Sequence, residues 1–423
     1  MSALPNQAAQ PNQDDIFAGL RVIEIGQYIA APVCTRMMSD MGAEVFKVEL
    51  PPYGDMMRVY GVPGGKPGFT FIGENRGKRG VCIDLKRPEG AAVVRDLVRH
   101  SDVLVENFTP GVLSKYGISY ELLKPENPRL IMCSISGFGQ NGPRAQMPGN
   151  DLIAQAMSGF LNLVGDPERA PAYPGANLAD NTAGVHALAA IASALYLREK
   201  TGRGQYIDLA LTECMGHYNS LGVVLHGVSG GQVKTTRSGS HSVGTAPFGV
   251  FKARDGYVVI AVLINQWGTF CDLMGRPELA SDPRFDSSDH RLQNQAEVIR
   301  IIEQWLQSFE RRDEPLAMLE RAHILSGPVH DTAGFINDPQ IRSRGFLQPV
   351  SQPGFGEIEI PRTPFNYSDA RVEIRMRAPM LGEHNEAALS SVLGYSREKI
   401  AALANAGVLH RDPQLEKMRA GGE

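Results

Sequence analysis

Asp180 carries a carboxylate in a telling place. It sits in the stretch GANLADNTAGVHALAAIASALYLREKTGRGQ, from Gly175 to Gln205, just ahead of a long Ala-rich apolar run. Val185, Leu188, Ala192 and Leu195 have the spacing of an apolar helix face, which predicts Asp180 at the N-cap. A carboxylate there has two uses. It can accept bonds from the free amides of the first turn, or it can do chemistry while those amides face developing negative charge. Local spacing alone favours the cap.

Other chemistry-bearing residues are few. Asn75-Arg76-Gly77-Lys78-Arg79 lies just before an apolar strand-like run and reads either as a solvated loop or as a phosphate site, since Arg and Lys donate charge-assisted bonds to phosphates. Lys86, Lys115 and Arg144 are further cations near the ends of such runs, together suiting an anionic, nucleotide-like ligand. Gly227-Val228-Ser229-Gly230-Gly231 fits the hydrolase pattern G-x-S-x-G. That motif needs a strand before it and a helix straight after it, whereas QVKTTRSGS follows here. GxxxxGK[ST], HExxH and a GxGxxG after the first strand are all missing, which weakens kinase, zincin and simple dinucleotide readings. The five cysteines (Cys34, Cys82, Cys133, Cys214, Cys271) are scattered without a CxxC pair, so a reducing, cytoplasmic, metal-free protein is expected.

The elements that must position these groups follow from the pattern. At 423 residues, two lobes are the natural expectation. The net charge of -4, without a dense Lys/Arg segment, argues against nucleic acid as the main partner. The longest near-apolar run, Ala183 to Leu197, is too short for a membrane span, which needs about 20 residues, and predicts a buried helix. The opening MSALPNQAAQPNQDD has neither a basic start nor an apolar core and reads as a short disordered tail without a secretory signal.

Strand signals at Leu20–Gly26, Ala43–Glu49, Arg79–Leu85, Asp102–Phe108 and Arg129–Gly137 alternate with helical patterns. That alternation predicts an α/β fold with a doubly wound, mostly parallel, Rossmann-like sheet whose ligands bind at the carboxyl ends of the strands. Helices from about Leu152 and Asn181 follow, the second stopped at Gly202 and Gly204, and YIDLALTE reads as another strand. The Gly/Ser/Thr-rich stretch from Gly227 to Gly249 predicts a mobile loop, and FGVFKARDGYVVIAVL a hairpin. Residues 1–226 are therefore expected to form the first part of a large domain, 227–328 a smaller α+β domain, and 329–423 a return to the large one.

Taken in order, the stretches MGAEVFKVE, ENRGKRGVCIDLKRPEG, DVLVENFTPGVLSKYG, SISGFGQNGPR, LADNTAG and EKTGRGQYIDLAL resemble the class III CoA-transferases, the family of formyl-CoA transferase and carnitine CoA-transferase, with α-methylacyl-CoA racemase as a relative. The resemblance runs from GLRVIEIGQYIAAP to about NAGVL, nearly the whole chain. It implies that Asp180 is the nucleophile of a ping-pong exchange between an acyl-CoA and a free carboxylic acid, through aspartyl anhydride and aspartyl-CoA thioester intermediates. An ordinary Asp, with a pKa near 3.9, would already be anionic at pH 7 and need no general base. Backbone amides at the helix start or in the Gly-rich loop would stabilise the oxyanions. The CoA thioester is then a substrate rather than a resident cofactor, and the partner is a second copy of the chain in an interlocked homodimer.

The same resemblance places CoA contacts at Ile29 and Ala30, at Ile83, Asp84, Leu85 and Lys86, at Asn107, Phe108 and Thr109, and at Lys115. The basic cluster adds Arg76 and Arg79 as candidates. Gln27, Tyr28, Tyr60, Asn150 and Asp151 fall at the acid site. Leu50 stands where formyl-CoA transferase has an Arg for CoA, and Gln27 and Ile29 where the family has His and Gln, which suggests an acid other than oxalate. The racemase branch needs a His–Asp pair in GHD and a Glu after the hairpin. This chain has Gly149-Asn150-Asp151 and Ile264 or Asn265 there, and an amide is no base. A serine hydrolase acting through Ser229 and a non-catalytic CoA-binding protein are the readings from other classes.

Overall fold

The computed structural model describes residues 15–61, 65–66 and 68–415. Most of the expected N-terminal tail lies outside them. The chain forms two units. One comprises the described parts of 1–160 and 342–423 together with Gly175–Leu221, the other Leu161–Pro174 and Gly222–Ile341. Against the expected 227–328, the second unit thus runs from 222 to 341 and also takes in a short excursion at 161–174.

The first unit holds six parallel strands: β1 (Arg21–Ile25), β2 (Glu44–Glu49), β3 (Arg79–Cys82), β4 (Val103–Glu106), β5 (Ile131–Ser136) and β6 (Tyr206–Ala210). Their order is β3-β2-β1-β4-β5-β6. The chain winds outward from β1 to β3 and then resumes on the other side of β1 with β4, so the crevice between β1 and β4 is the switch point at which such sheets bind ligands. Val22, Ile23, Val103, Leu104 and Val105 have no exposed surface, as a sheet covered on both faces requires.

Among the described residues up to 228 there are eight α-helices: α1 (Ala30–Asp40), α2 (Phe69–Asn75), α3 (Pro88–Arg99), α4 (Tyr120–Leu123), α5 (Asp151–Met157), α6 (Leu178–Thr201), α7 (Leu211–Gly216) and α8 (Ser220–Val228). On one face of the sheet, Val33, Cys34 and Met37 of α1 pack with Ala183, Ala187 and Ile191 of α6. On the other, Val93, Val94 and Leu97 of α3 pack with Leu389 and Ile400 from the C-terminal helices Asn385–Leu393 and Arg397–Asn405. Small residues let α1 and α6 approach closely. A Cβ at Gly184 would lie 2.6 Å from Val33 Cγ1 and 2.9 Å from the Ala30 carbonyl.

The second unit has its own core around Phe251, Phe270, Phe285 and Trp267. Its sheet pairs β7 (Phe248–Ala253) and β8 (Gly256–Ala261) as the expected hairpin, with β9 (Leu325–Pro328) added antiparallel to β8. The Gly-rich loop begins later than expected, because α8 continues to Val228. In the first unit, β10 (Leu347–Gln352) and β11 (Gly356–Pro361) form a separate antiparallel pair.

Candidate active site

Loops at the carboxyl ends of β1, β4 and β5 open onto a cavity of about 700 Å³. Tyr28, Ile29 and Ala30 enter it after β1, Asn107 after β4, and Ser136 and Gly137 at the end of β5. Asn150 and Asp151 start α5, Asn177 and Asp180 start α6, and Tyr60, Phe69 and Thr70 contribute further lining. Gly26 permits the turn out of β1, since a Cβ there would lie 2.7 Å from Ala31 Cβ.

Asp180 is not the cap. α6 begins at Leu178, with Asn177 at the N-cap making no side-chain bond, and Asp180 lies inside the first turn. The capping comes from another segment. Asp151 Oδ1 accepts the N–H groups of Ala179 (2.7 Å) and Asp180 (3.1 Å), while its Oδ2 accepts from Gln155 Nε2 (2.5 Å). Asp151 therefore lines the cavity with its oxygens already committed. The Asp180 carboxylate, by contrast, accepts no hydrogen bond among the described residues. Burial pushes it up to about 7, helped by the negative charges of Asp151 and Glu74. The expectation of an ordinary Asp, fully ionised at neutral pH, is corrected here. So is the expectation that the opening amides of α6 are available to an oxyanion, because Asp151 occupies them.

Asn150 caps α5 by accepting from the Ile153 N–H (3.1 Å). Gln27 and Asn107 lock the two switch-point loops together: Asn107 Oδ1 accepts from Gln27 N (2.9 Å), and Asn107 Nδ2 donates to the Gln27 carbonyl (2.8 Å). Tyr28 is one of two non-glycine residues with positive φ among those described, at 63°, and its ring stacks near that of Tyr60 at 6.2 Å.

The basic cluster does something other than expected. Arg76 and Lys78 have no exposed surface and no view of a ligand. Arg76 pairs with Asp40 (2.8 Å) and Lys78 with Glu24 (2.7 Å). Arg79 opens β3, at the end of the sheet opposite the cavity, where it faces Glu44 at 3.3 Å. Arg76 and Arg79 are thus removed from the CoA candidates. Of the remainder, Ile83 and Leu85 are buried in the core, Asp84 accepts from the Lys86 N–H (3.0 Å), and the Phe108 N–H donates to Glu106 (2.8 Å). Lys86, Thr109 and Lys115 are exposed. Of these, Thr109 lines a separate cavity of about 210 Å³ with Glu106 and Ser134.

Ser229 follows the helix α8 rather than a strand. Its hydroxyl donates to the His226 carbonyl (3.3 Å) and accepts from the Val233 N–H (3.1 Å). The strand–turn–helix geometry of a nucleophile elbow is not built there. Sequence reasoning passed over Met57, Phe69, Thr70, Ser136 and Asn177, none of which has a distinctive local pattern. It also passed over Glu24 and Lys47, where there was a signal: both are charges inside otherwise apolar strands.

A family model described as CoA-transferase family III matches residues 17–385. The chain is 37% identical over 402 residues to the succinyl-CoA–L-malate CoA-transferase beta subunit of Chloroflexus aurantiacus, covering 93% of this chain and 98% of that protein. It is 31% identical to the succinyl-CoA:glutarate CoA-transferase of Homo sapiens, covering 92% and 89%. Among solved structures, a CAIB/BAIF family protein from Brucella suis aligns with a TM-score of 0.82 at 36% identity, over 90% of this chain and 100% of that one.

Proposed function

The chain belongs to CoA-transferase family III, and we propose that it moves CoA from an acyl-CoA donor to a free carboxylic acid through covalent intermediates on Asp180. The observation that carries this is the uncommitted Asp180 carboxylate in the cavity. Asp151 beside it is spent on the α6 amides, whereas Asp180 is free to attack. Burial that raises its pKa to about 7 also leaves its ionised form poorly solvated, which favours bond formation.

The steps balance without a separate acid or base. The carboxylate attacks the thioester carbonyl, the C–S bond breaks, and a mixed anhydride and CoA thiolate result. The thiolate attacks the aspartyl carbonyl, displacing the donor acid as its carboxylate and leaving aspartyl-CoA thioester. An acceptor carboxylate attacks that thioester and expels the thiolate, which then takes the acyl carbon and restores Asp180. The amide of Ala30, at the start of α1 and on the cavity wall, has no intrahelical acceptor and serves as an oxyanion donor.

Relatives named for succinyl-CoA support a dicarboxylyl donor. A second copy completes the assembly, in keeping with the apolar residues exposed on α6 and α8. Five buried, unpaired thiols suit a reducing, cytoplasmic setting. Asn150, committed as a cap and lacking a titratable proton, speaks against the racemase reading, and the surroundings of Ser229 against the hydrolase.

The test is CoA exchange between succinyl-CoA and a panel of free acids. Asp180→Ala should lower kcat by at least about 10⁴-fold, and mass spectrometry of a proteolytic digest of the wild type, quenched during turnover, should find a CoA adduct on the peptide containing Asp180. Exchange that survives Asp180→Ala would refute the mechanism.

A further inference from the structure

A group of charges with no exposed surface lies directly behind the cavity wall. Glu24 on β1 and Lys47 on β2 are register partners on neighbouring strands. Glu24 accepts from Lys47 Nζ (2.7 Å), Lys78 Nζ (2.7 Å) and Thr35 Oγ1 (2.5 Å). Lys47 Nζ also reaches the Gly26 carbonyl (3.0 Å) and forms an ion pair with Asp55 Oδ2 (2.9 Å). Burial opposes these charges, but the two ammonium groups hold Glu24 below the usual carboxylate range. With Glu49 and Arg58, which bond each other through two 2.7 Å contacts, three carboxylates face three cations.

Buried ion pairs add little stability compared with apolar residues of the same volume. What distinguishes this one is where it ends. Asp55 Oδ1 accepts the N–H groups of Tyr28 (3.1 Å) and Met57 (3.0 Å), both on residues that line the cavity. Tyr28 holds a φ of 63°, in the left-handed region that side-chain-bearing residues seldom adopt. Such a conformation persists only when its surroundings over-determine it. The Gln27–Asn107 bonds fix the residue before it, and Asp55 fixes its own amide.

We propose that Asp55, anchored by Lys47 and Glu24, is a positioning residue that holds Tyr28 left-handed and so sets the wall against which the acyl-CoA binds. This rests on the reading of the cavity as the CoA-transfer site, which the wild-type exchange activity judges separately. Asp55 touches no reacting atom, and its effect is transmitted through Tyr28.

A double-mutant cycle tests that route. Asp55→Ala and Tyr28→Ala should each raise the KM for acyl-CoA about 10-fold with kcat changed less than about 3-fold. The double variant should also be about 10-fold, not about 100-fold, because the second change removes what the first one positions. Asp55→Asn retains an oxygen for the two amides and should restore most of the KM. A crystal structure of Asp55→Ala should show Tyr28 outside the positive-φ region. If Asp55→Ala fails to fold, Asp55→Ser is read in its place. Additive effects on KM, or a Tyr28 that stays left-handed without the Asp55 carboxylate, would overturn the proposal.

Discussion

At Asp180, burial and the neighbouring charge of Asp151 act in the same direction, and both oppose the form that must react. With the carboxylate as the proposed nucleophile, kcat/KM should rise with pH, about tenfold per unit, until it levels off near pH 7. Asp151→Asn keeps an oxygen for the amides of Ala179 and Asp180 but removes the like charge. It should move the acid limb down by as much as about one pH unit, read from kcat/KM profiles of the two proteins. An unmoved limb would mean that Asp151 acts only as a cap. The same shift has a stability sign. Its folded pKa lies above the unfolded value near 3.8, so its contribution is fully present below about pH 4 and lost as pH rises through about 7. Asp180→Asn should therefore be more stable than the wild type at pH 8 by about 1–2 kcal/mol, allowing for partial exposure, and equal to it at pH 4 in denaturant titrations. The position of Asp180 was legible in the motifs around it, but its protonation was not. The residue that shifts it and caps its helix lies 29 positions away and meets it only in the fold.

The helix α6 places that carboxylate, and the seam with α1 places α6. Ala183, Gly184 and Ala187 are fully buried there, and a side chain at Gly184 would collide with Val33 and the Ala30 carbonyl. Gly184→Val should cost about 1–3 kcal/mol through overpacking and, since the seam begins one turn after Asp180, lower kcat/KM as well. Gly216→Ala, in α7, where an added Cβ would meet no atom within 4 Å, should be no less stable than wild type by denaturant titration. Equal stabilities for the two variants would show that the seam can yield. At this scale much was legible, because all six parallel strands and the hairpin announce themselves as apolar runs between helical patterns. Two failures have physical causes. α6 starts three residues before the expected Asn181 because a remote side chain caps it. The pair β10–β11 drew no strand expectation: Pro349, inside β10, donates no ladder bond and reads as a strand breaker. The misreading of Arg76 and Lys78 has the opposite origin. Polar loops are normally wet, and only the tertiary partners Asp40 and Glu24 bury these cations.

For the whole molecule, the proposed chemistry and the proposed dimer meet on α6. The helix is apolar on nearly every side, yet Val185 is 48% exposed and Tyr196 is 66% exposed. In α8 no residue is buried, and Leu221 and Val228 are each 79% exposed. Helices that are apolar all round are ordinarily covered. In the proposed dimer the cover is a second copy, so light scattering at micromolar concentration should give a mass twice the 46.0 kDa of one chain. Val185→Glu with Tyr196→Glu puts two carboxylates into that surface and should shift the protein toward the monomer. Val185 lies little more than one helical turn from Asp180. Loss of the dimer should therefore also lower exchange activity, by at least about 10-fold if the contact holds the first turn of α6 in place. A wild-type protein that scatters as a single chain while retaining full activity would mean that these faces stay open to water and the dimer plays no part in the reaction.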